Sequence, residues 1–525
     1  MQNNTTKVII GIVVVLVVAL GIWFLAGRQP VEEAAIQEQE QAAAPAAPRE
    51  VTPPVEEVDY TITILTVSHT GEIIAPDHPA ILQIEEHTGY NTEWEFVLGA
   101  NFAEQMNMRF AAGNLPGIVA LTGISGPIVS AALGGAFWDL TDHIPQWPNL
   151  ADANPTIMNN ISIQGRSFGV YRQRPIGRNG IVIRTDWLDY LGIDKPETLD
   201  EFYEMLYAFT VNNPQPNGGD TYGMTWTGGF MGAFHQLAVM HGAPNRWEIL
   251  NEKFVPWFEH EAFAEAMDRA RWMFDNGIIN PDFAALPTGD LRVDLYAGRV
   301  GVEIGVSDEA RRTANALRDA GFMTQEELDA GEMVWVMGPV ANAQGERRSM
   351  ALSGHAGFVA ISTSGAPTEE SLQHHLNFMN MINDPIGQNI VSWGARDHNW
   401  EYAGNGTVRI IEQPTNLLEG LNQIMMRQNF VYTQADANSR ENAIIEVQRA
   451  NLDIAIHDPS LPFAALSDTW TANQVSLNQI IDDAVINYTM GHIDMDGFRQ
   501  EVERWYTEGG QNAIDELSAA LAAAR

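Results

Sequence analysis

The stretch from residue 180 to residue 223 constrains the fold of this chain more than any other, because it specifies strand, helix, turn, helix and loop without interruption. Residues 181–183 form a β-branched run that predicts a strand. Thr185 then offers a hydroxyl to cap a helix carrying Leu188 and Leu191, and Gly192 supplies its stop. Pro196 marks the turn. Thr198 and Glu201 have capping-box spacing, and Leu199, Phe202, Tyr203, Leu206 and Phe209 recur on one helical face.

The same alternation extends in both directions and predicts an α/β protein. Strands are expected over 60–67, 92–97 and 118–121, with helices over 77–88 and 103–112 between them. Such a doubly wound start places ligands at the loops after strand C-termini, here SHTGE with His69 and TGISG with Thr122. A crossing strand over 169–172 leads into a second block that opens at Ile181, with a helix over 262–276 and a buried strand over 300–304. A strand over 355–361 and a helix over 369–382 then return the chain to the first block.

Composition removes several function classes. A formal charge of −38 opposes nucleic acid and anionic lipid headgroups, both of which demand a basic surface. The chain contains no cysteine, so disulfides, thiol chemistry and lipidation at a cysteine are all excluded. Residues 8–27 form an uncharged apolar run about 30 Å long as a helix, enough to cross a bilayer, and residues 1–28 are therefore assigned to a retained transmembrane anchor. A cleaved signal segment is the alternative. Lys7 before the run and Glu32 and Glu33 after it put the tail inside and the body outside. Residues 29–58, rich in Ala, Pro, Glu and Gln, read as a disordered tether.

DWL at 186–188, KPETLDEF at 195–202 and a polar loop closing on DTYG at 220–223 together resemble the extracellular solute-binding proteins of ABC importers. Within them the chain is similar to the branch that handles oligosaccharides and includes alginate-binding proteins, from about Tyr60 to the end. The resemblance implies a two-lobed type 2 periplasmic-binding-protein fold with a hinge and an interlobe cleft. Lobe 1 would take about 59–172 and 345–392, and lobe 2 about 173–344 together with 393–525. It also implies a monomeric membrane-tethered receptor that passes an oligosaccharide to permease subunits at the cell surface, without a cofactor and without catalysis. Relatives often carry a calcium loop where this chain has Asn213 and Gln215 instead of aspartates, so no metal is expected there.

A sugar cleft needs aromatic faces for pyranose rings and planar polar groups for hydroxyls. Trp226, after the DTYG loop, and the cluster Trp393, Arg396, His398 and Trp400 in WGARDHNW are the aromatic candidates, with domain packing as the alternative. Tyr171, Arg172 and Arg174 lie at the first crossover, and Glu303 sits inside the apolar strand GVEIG, where a lone carboxylate is costly. His69 and Thr122 complete the set by position alone. No phosphate loop, nucleophile elbow or HExxH motif is present. With 67 acidic residues, a carboxylate pair can arise by chance, so an anchored glycoside hydrolase stays open as an alternative, as does a cell-wall adhesion or sensor module.

Overall fold

The computed structural model describes residues 58–68, 73–214, 220–226, 231–286, 292–412, 416–426, 431, 433–435 and 437–524. The apolar run at 8–27, the tether, His69 and most of the loop that replaces a calcium site lie outside the described residues. Among the described residues no helix is long and apolar enough to cross a membrane, and no group of three or more His, Asp or Glu side chains could hold a metal ion.

Nine strands build two sheets: β1 (Val58–Ser68), β2 (Tyr90–Leu98), β3 (Ile118–Ala120), β4 (Gly169–Gln173), β5 (Asn179–Arg184), β6 (Tyr222–Met224), β7 (Val300–Val306), β8 (Val334–Met337) and β9 (His355–Ile361). The first sheet has the order β2-β1-β3-β9-β4 and the second β8-β5-β7-β6. In the first, β1 is parallel to β2 and β3, while β9 is antiparallel to both β3 and β4. The ends of β1, β3 and β4 and the start of β9 therefore share one edge. In the second, β5 is antiparallel to β8 and β7, and β6 is parallel to β7. The start of β5 and the ends of β6, β7 and β8 share an edge there. Because β4 runs into β5 through residues 174–178 only, the two edges adjoin.

Local chemistry accounts for most helix ends. The Thr198 hydroxyl accepts from Glu201 N at 3.3 Å while the Glu201 carboxylate accepts from Thr198 N at 3.1 Å, closing the expected box on the helix Leu199–Val211. Thr185 is not a cap: the helix Thr185–Leu191 starts with it, and the capping position belongs to Arg184, whose guanidinium forks onto Asp186 instead. Gly192 does stop that helix, at φ 68°.

Each sheet has its own core. Ile62, Ile64, Val119, Val359 and Leu376 pack in the first, and Ile183, Phe202, Leu206, Phe263 and Val302 in the second. The chain after residue 393 divides between them. Leu421, Ile424, Met425 and Met426 join the first core, whereas Ile444, Leu477, Val485 and Leu517 join the second lobe. The expectation that everything from 393 onward belongs to lobe 2 thus needs correction, because apolar residues at 421–426 cover the open end of the first sheet. Thr66 Oγ1 donates to Gly420 O at 2.9 Å in the same contact.

Asparagine amides stitch the crossings together. Arg174 N donates to Gly354 O and Leu352 N to Ile176 O, at 3.0 and 2.9 Å, so two crossings run side by side. Asn179 Nδ2 donates to Met350 O at 2.7 Å, and Asn245 Nδ2 to Ala351 O and Ile456 O, both at 2.9 Å. Asn451 Nδ2 donates to Gly177 O at 2.9 Å and to Asn179 O at 2.6 Å. A few connecting residues tied this way join lobes that keep separate cores, the arrangement from which a hinge is built.

Candidate functional site

The first-lobe edge is built around Arg172, the fourth residue of β4. Its Nη1 donates to Leu121 O at 2.8 Å and to Ala356 O at 2.7 Å, and its Nη2 donates to Gln423 Oε1. The guanidinium thus ties the end of β3 to the start of β9. Gly357 makes room for this: at φ +100° an added Cβ would stand 2.1 Å from Leu121 O. Arg174 Nη2 reaches the same Gln423 oxygen at 3.0 Å. Burial, reinforced by Arg174, pulls the Arg172 pKa down to about 9. His355 opens β9 beside it; burial and the Arg172 charge push its imidazole down to about 4, so it is neutral at physiological pH.

The second lobe has a recess, next to Asn245 in the chain, that no sequence argument picked out. It encloses about 80 Å³ and is lined by His235, Arg246, Trp257, Trp470, Asp482 and Trp505, among others. The His235 ring lies on Trp257 with centroids 3.6 Å apart, and Trp247 meets Trp470 edge-on at 5.3 Å. Burial, helped by Arg246, holds His235 well below its usual range, and its Nε2 has no partner. Arg246 is exposed at the mouth with φ 63°, directly after the hinge amide Asn245. Burial lifts the Asp482 carboxyl to about 6 against the pull of Arg246. Asp458, two residues beyond the hinge carbonyl of Ile456, is likewise raised by burial and accepts from Ser460 N at 2.9 Å and Ser460 Oγ at 2.7 Å. Indole faces beside carboxylates and a guanidinium suit a polyhydroxylated ring. The signal available in sequence was weak, a polar Asn245-Arg246 pair after Gly-Ala-Pro and an isolated His-Asp-Pro at 457–459.

The residues expected from sequence separate into two groups. Thr122 is exposed just beyond the end of β3, and Arg172 is at the same edge. Trp393 is half-buried at the end of the helix Pro385–Trp393. The others have structural positions. Trp226 follows β6 toward the hinge edge, yet its indole is 0% exposed, packed in the second core with its ring 6.0 Å from Phe283. A covered indole offers no stacking face, and the expectation that this residue lies outside a core is corrected. Trp400 is also buried, and its Nε1 donates to Gly394 O at 2.9 Å, closing the loop that carries it. Arg396 is exposed, with its backbone N and O bonded to the Gln83 side chain at 2.9 Å each and its guanidinium beside Asp397. Tyr171 is buried with its hydroxyl accepting from Asn154 N at 3.0 Å.

Glu303 does not face the hinge. It pairs across the sheet with Val182, and its carboxylate lies 3.7 Å from Nη2 of Arg292, which caps the helix Val293–Tyr296. Burial and the charge of Glu309 outweigh that arginine and push Glu303 up to about 8. Glu309 accepts from Tyr296 Oη at 2.7 Å and Arg312 Nε at 2.6 Å, and Arg292 Nε lies 2.6 Å from it.

Residues 74–327 match the bacterial extracellular solute-binding protein family. The chain is 29% identical to lipoprotein LipO of Bacillus subtilis strain 168 over 472 residues, 87% of this chain and 91% of that protein. It is also 29% identical over 463 residues to the polygalacturonan/rhamnogalacturonan-binding protein YtcQ of the same organism, covering 86% and 89%. The solved alginate-binding protein AlgQ2 without calcium ion superposes with a TM-score of 0.67 at 15% identity, over 89% of this chain and 99% of that one. A two-sheet fold with amide-stitched crossings agrees with these likenesses: the chain is similar to the bacterial extracellular solute-binding proteins, whose family its residues 74–327 match.

Proposed function

We propose that this protein is the extracellular receptor of an ABC importer and that its ligand is a carbohydrate, held between the first-lobe edge and the recess of the second lobe. The observation that carries the reading is the recess itself, an indole-lined cavity with Arg246 and Asp482 in its lining, next to Asn245, which ties the crossings. Relatives named for binding polygalacturonan and alginate support the same ligand class. Thr122 and Trp393 on the first lobe are proposed contacts, and closure of the hinge would bury the sugar between the walls. No covalent step is assigned to any side chain. Residues 8–27 are proposed to hold the body at the membrane, where permease subunits receive it.

The test is calorimetry and thermal shift on the soluble body, from about residue 58, over plant and algal oligosaccharides. At least one should bind and be recovered unchanged, and Trp257→Ala should weaken it by about 1–3 kcal/mol, roughly ten- to a hundredfold. Release of new reducing ends would replace the receptor with a hydrolase. Binding to insoluble wall material but to no soluble oligosaccharide would point to an adhesion module.

A further inference from the structure

A groove on the second lobe lies apart from the recess and shares no lining residue with it. It holds about 300 Å³ between the helices Leu199–Val211 and Glu261–Asp275, the lower end of the roughly 300–1,000 Å³ range of small-molecule sites. Asp200, Tyr203, Glu204 and Tyr207 line it from the first helix and Arg269 and Trp272 from the second, at the three- and four-residue spacings that put side chains on one face. Phe202, Leu206 and Phe209 go into the second core. The outer stripe of such a helix is ordinarily charged or polar. Here aromatic rings stand among the charges.

Tyr203 is the floor. It is buried, its hydroxyl is hydrogen-bonded to His241 Nε2 at 2.8 Å, and the Arg269 guanidinium lies over its ring, 5.0 Å from the centroid. Trp272 meets Tyr203 edge-on at 6.1 Å and stands 6.2 Å from Tyr207, with those two ring planes 35° apart. Tyr207 is 42% exposed. Among the described residues, the Tyr207 hydroxyl, the Trp272 indole N–H and the Glu204 carboxylate have no hydrogen-bond partner, and the Asp200 carboxylate accepts one long bond, from Arg269 Nη2 at 3.4 Å.

This set selects the class of ligand. A cation laid on the rings would face Arg269, and an anion would face Asp200 and Glu204. A neutral polyhydroxylated ring uses both signs: its hydroxyls donate to the carboxylates and accept from the guanidinium and the indole N–H, while its C–H face lies on the aromatic platform. We infer that this groove is a second carbohydrate site, one that holds a neutral sugar unit of a polysaccharide while the recess serves the transported ligand. The inference goes beyond the receptor reading and does not depend on it. A receptor held on a polymer in this way meets released fragments at raised local concentration.

The experiment uses the full chain, kept in solution by a detergent without a sugar headgroup, in native gels cast with xylan, mixed-linkage β-glucan or galactomannan. At least one polymer should retard the parent, and added salt should leave the retardation unchanged, because the ligand is uncharged. Tyr207→Ala and Trp272→Ala should each weaken the interaction roughly tenfold, and Glu204→Gln about threefold. Trp272 also packs on Tyr203, so Tyr207→Ala, at an exposed position and with an unchanged melting temperature, is the deciding variant. Failure of all three polymers to retard the parent overturns the site, and so does equal retardation of the parent and Tyr207→Ala. Retardation lost in Trp257→Ala but kept in Tyr207→Ala would place the polymer in the recess and overturn the groove, with the receptor reading left standing. Retardation that depends on Tyr207 supports the groove even where no oligosaccharide binds at the recess, so the two readings fail separately.

Discussion

Glu309 in the second lobe and Arg172 in the first are both buried charges, and their surroundings are opposites. Glu309 is met by Arg292, Arg312 and the Tyr296 hydroxyl, so both its oxygens are engaged by groups of this chain. Arg172 is met by neutral oxygens, and its closest titratable neighbours are Arg174 and a neutral histidine. A buried ion whose partners are built in is part of the fold: removing one partner strands the others. A buried ion without a countercharge carries a desolvation cost that its neutral hydrogen-bond partners offset only in part. The difference sets a charge cluster satisfied from within, on the helix-covered face of the second sheet, against a guanidinium held by neutral oxygens at the edge of the first.

The strongest way to break this contrast is Glu309→Gln. The amide keeps the shape but leaves Arg292 and Arg312 facing each other across a neutral group. A loss of about 3–5 kcal/mol in urea unfolding is expected, in line with a buried pair deprived of one member. A loss below about 1 kcal/mol would mean that solvent reaches this cluster and that its charges are not structural.

A smaller effect is expected at Glu303, and it depends on pH. Its carboxyl is pushed up to about 8 in the folded protein by burial and Glu309, against an ordinary value of 4.5. The folded state therefore keeps a proton that the unfolded chain releases. The stability this provides is complete below pH 4.5, is lost progressively as pH rises towards 8, and is absent above that. Glu303→Gln has no proton to lose, so it should gain on the parent across that window, by about 1 kcal/mol or more on its alkaline side. Parallel stability profiles for the two proteins between pH 5 and 9 would show that Glu303 ionises normally.

Much of the fold was legible because local signals and tertiary packing agree. The Thr198–Glu201 box, the Gly192 stop and the apolar face from Leu199 to Phe209 all appear in place, and the strand His355–Ile361 and the helix Glu369–Ile382 coincide with the expected spans. The site was legible only where topology fixes it. Arg172 and Thr122 could be placed because strand ends define an edge. Trp226 could not, since the same indole serves a core or a sugar, and only the neighbouring Phe283 decides between them. Nor could the recess be foreseen, because His235 and Arg246 on one side and Trp470, Asp482 and Trp505 on the other come from segments more than 200 residues apart and meet only in the packed second core. Glu303 drew notice correctly as a costly carboxylate, but its neighbours lie on both sides of the strand in sequence, Arg292 before it and Glu309 and Arg312 on the helix that follows.

The smallest expected change bears most directly on the comparison. Arg172→Met in the absence of ligand gives up hydrogen bonds to Leu121 O, Ala356 O and Gln423, and each orphaned acceptor costs about 1–3 kcal/mol. Against this, the fold no longer has to desolvate an uncompensated guanidinium, a penalty of several kcal/mol. The methionine chain follows the path of the arginine stem and keeps the apolar contacts. The two contributions nearly cancel, and stability in urea is expected within about 1 kcal/mol of the parent, although Arg172 is buried as completely as Glu309. A loss comparable to that of Glu309→Gln would make Arg172 a structural keystone of the first lobe, because its bonds to Leu121 O and Ala356 O would then outweigh the cost of its charge.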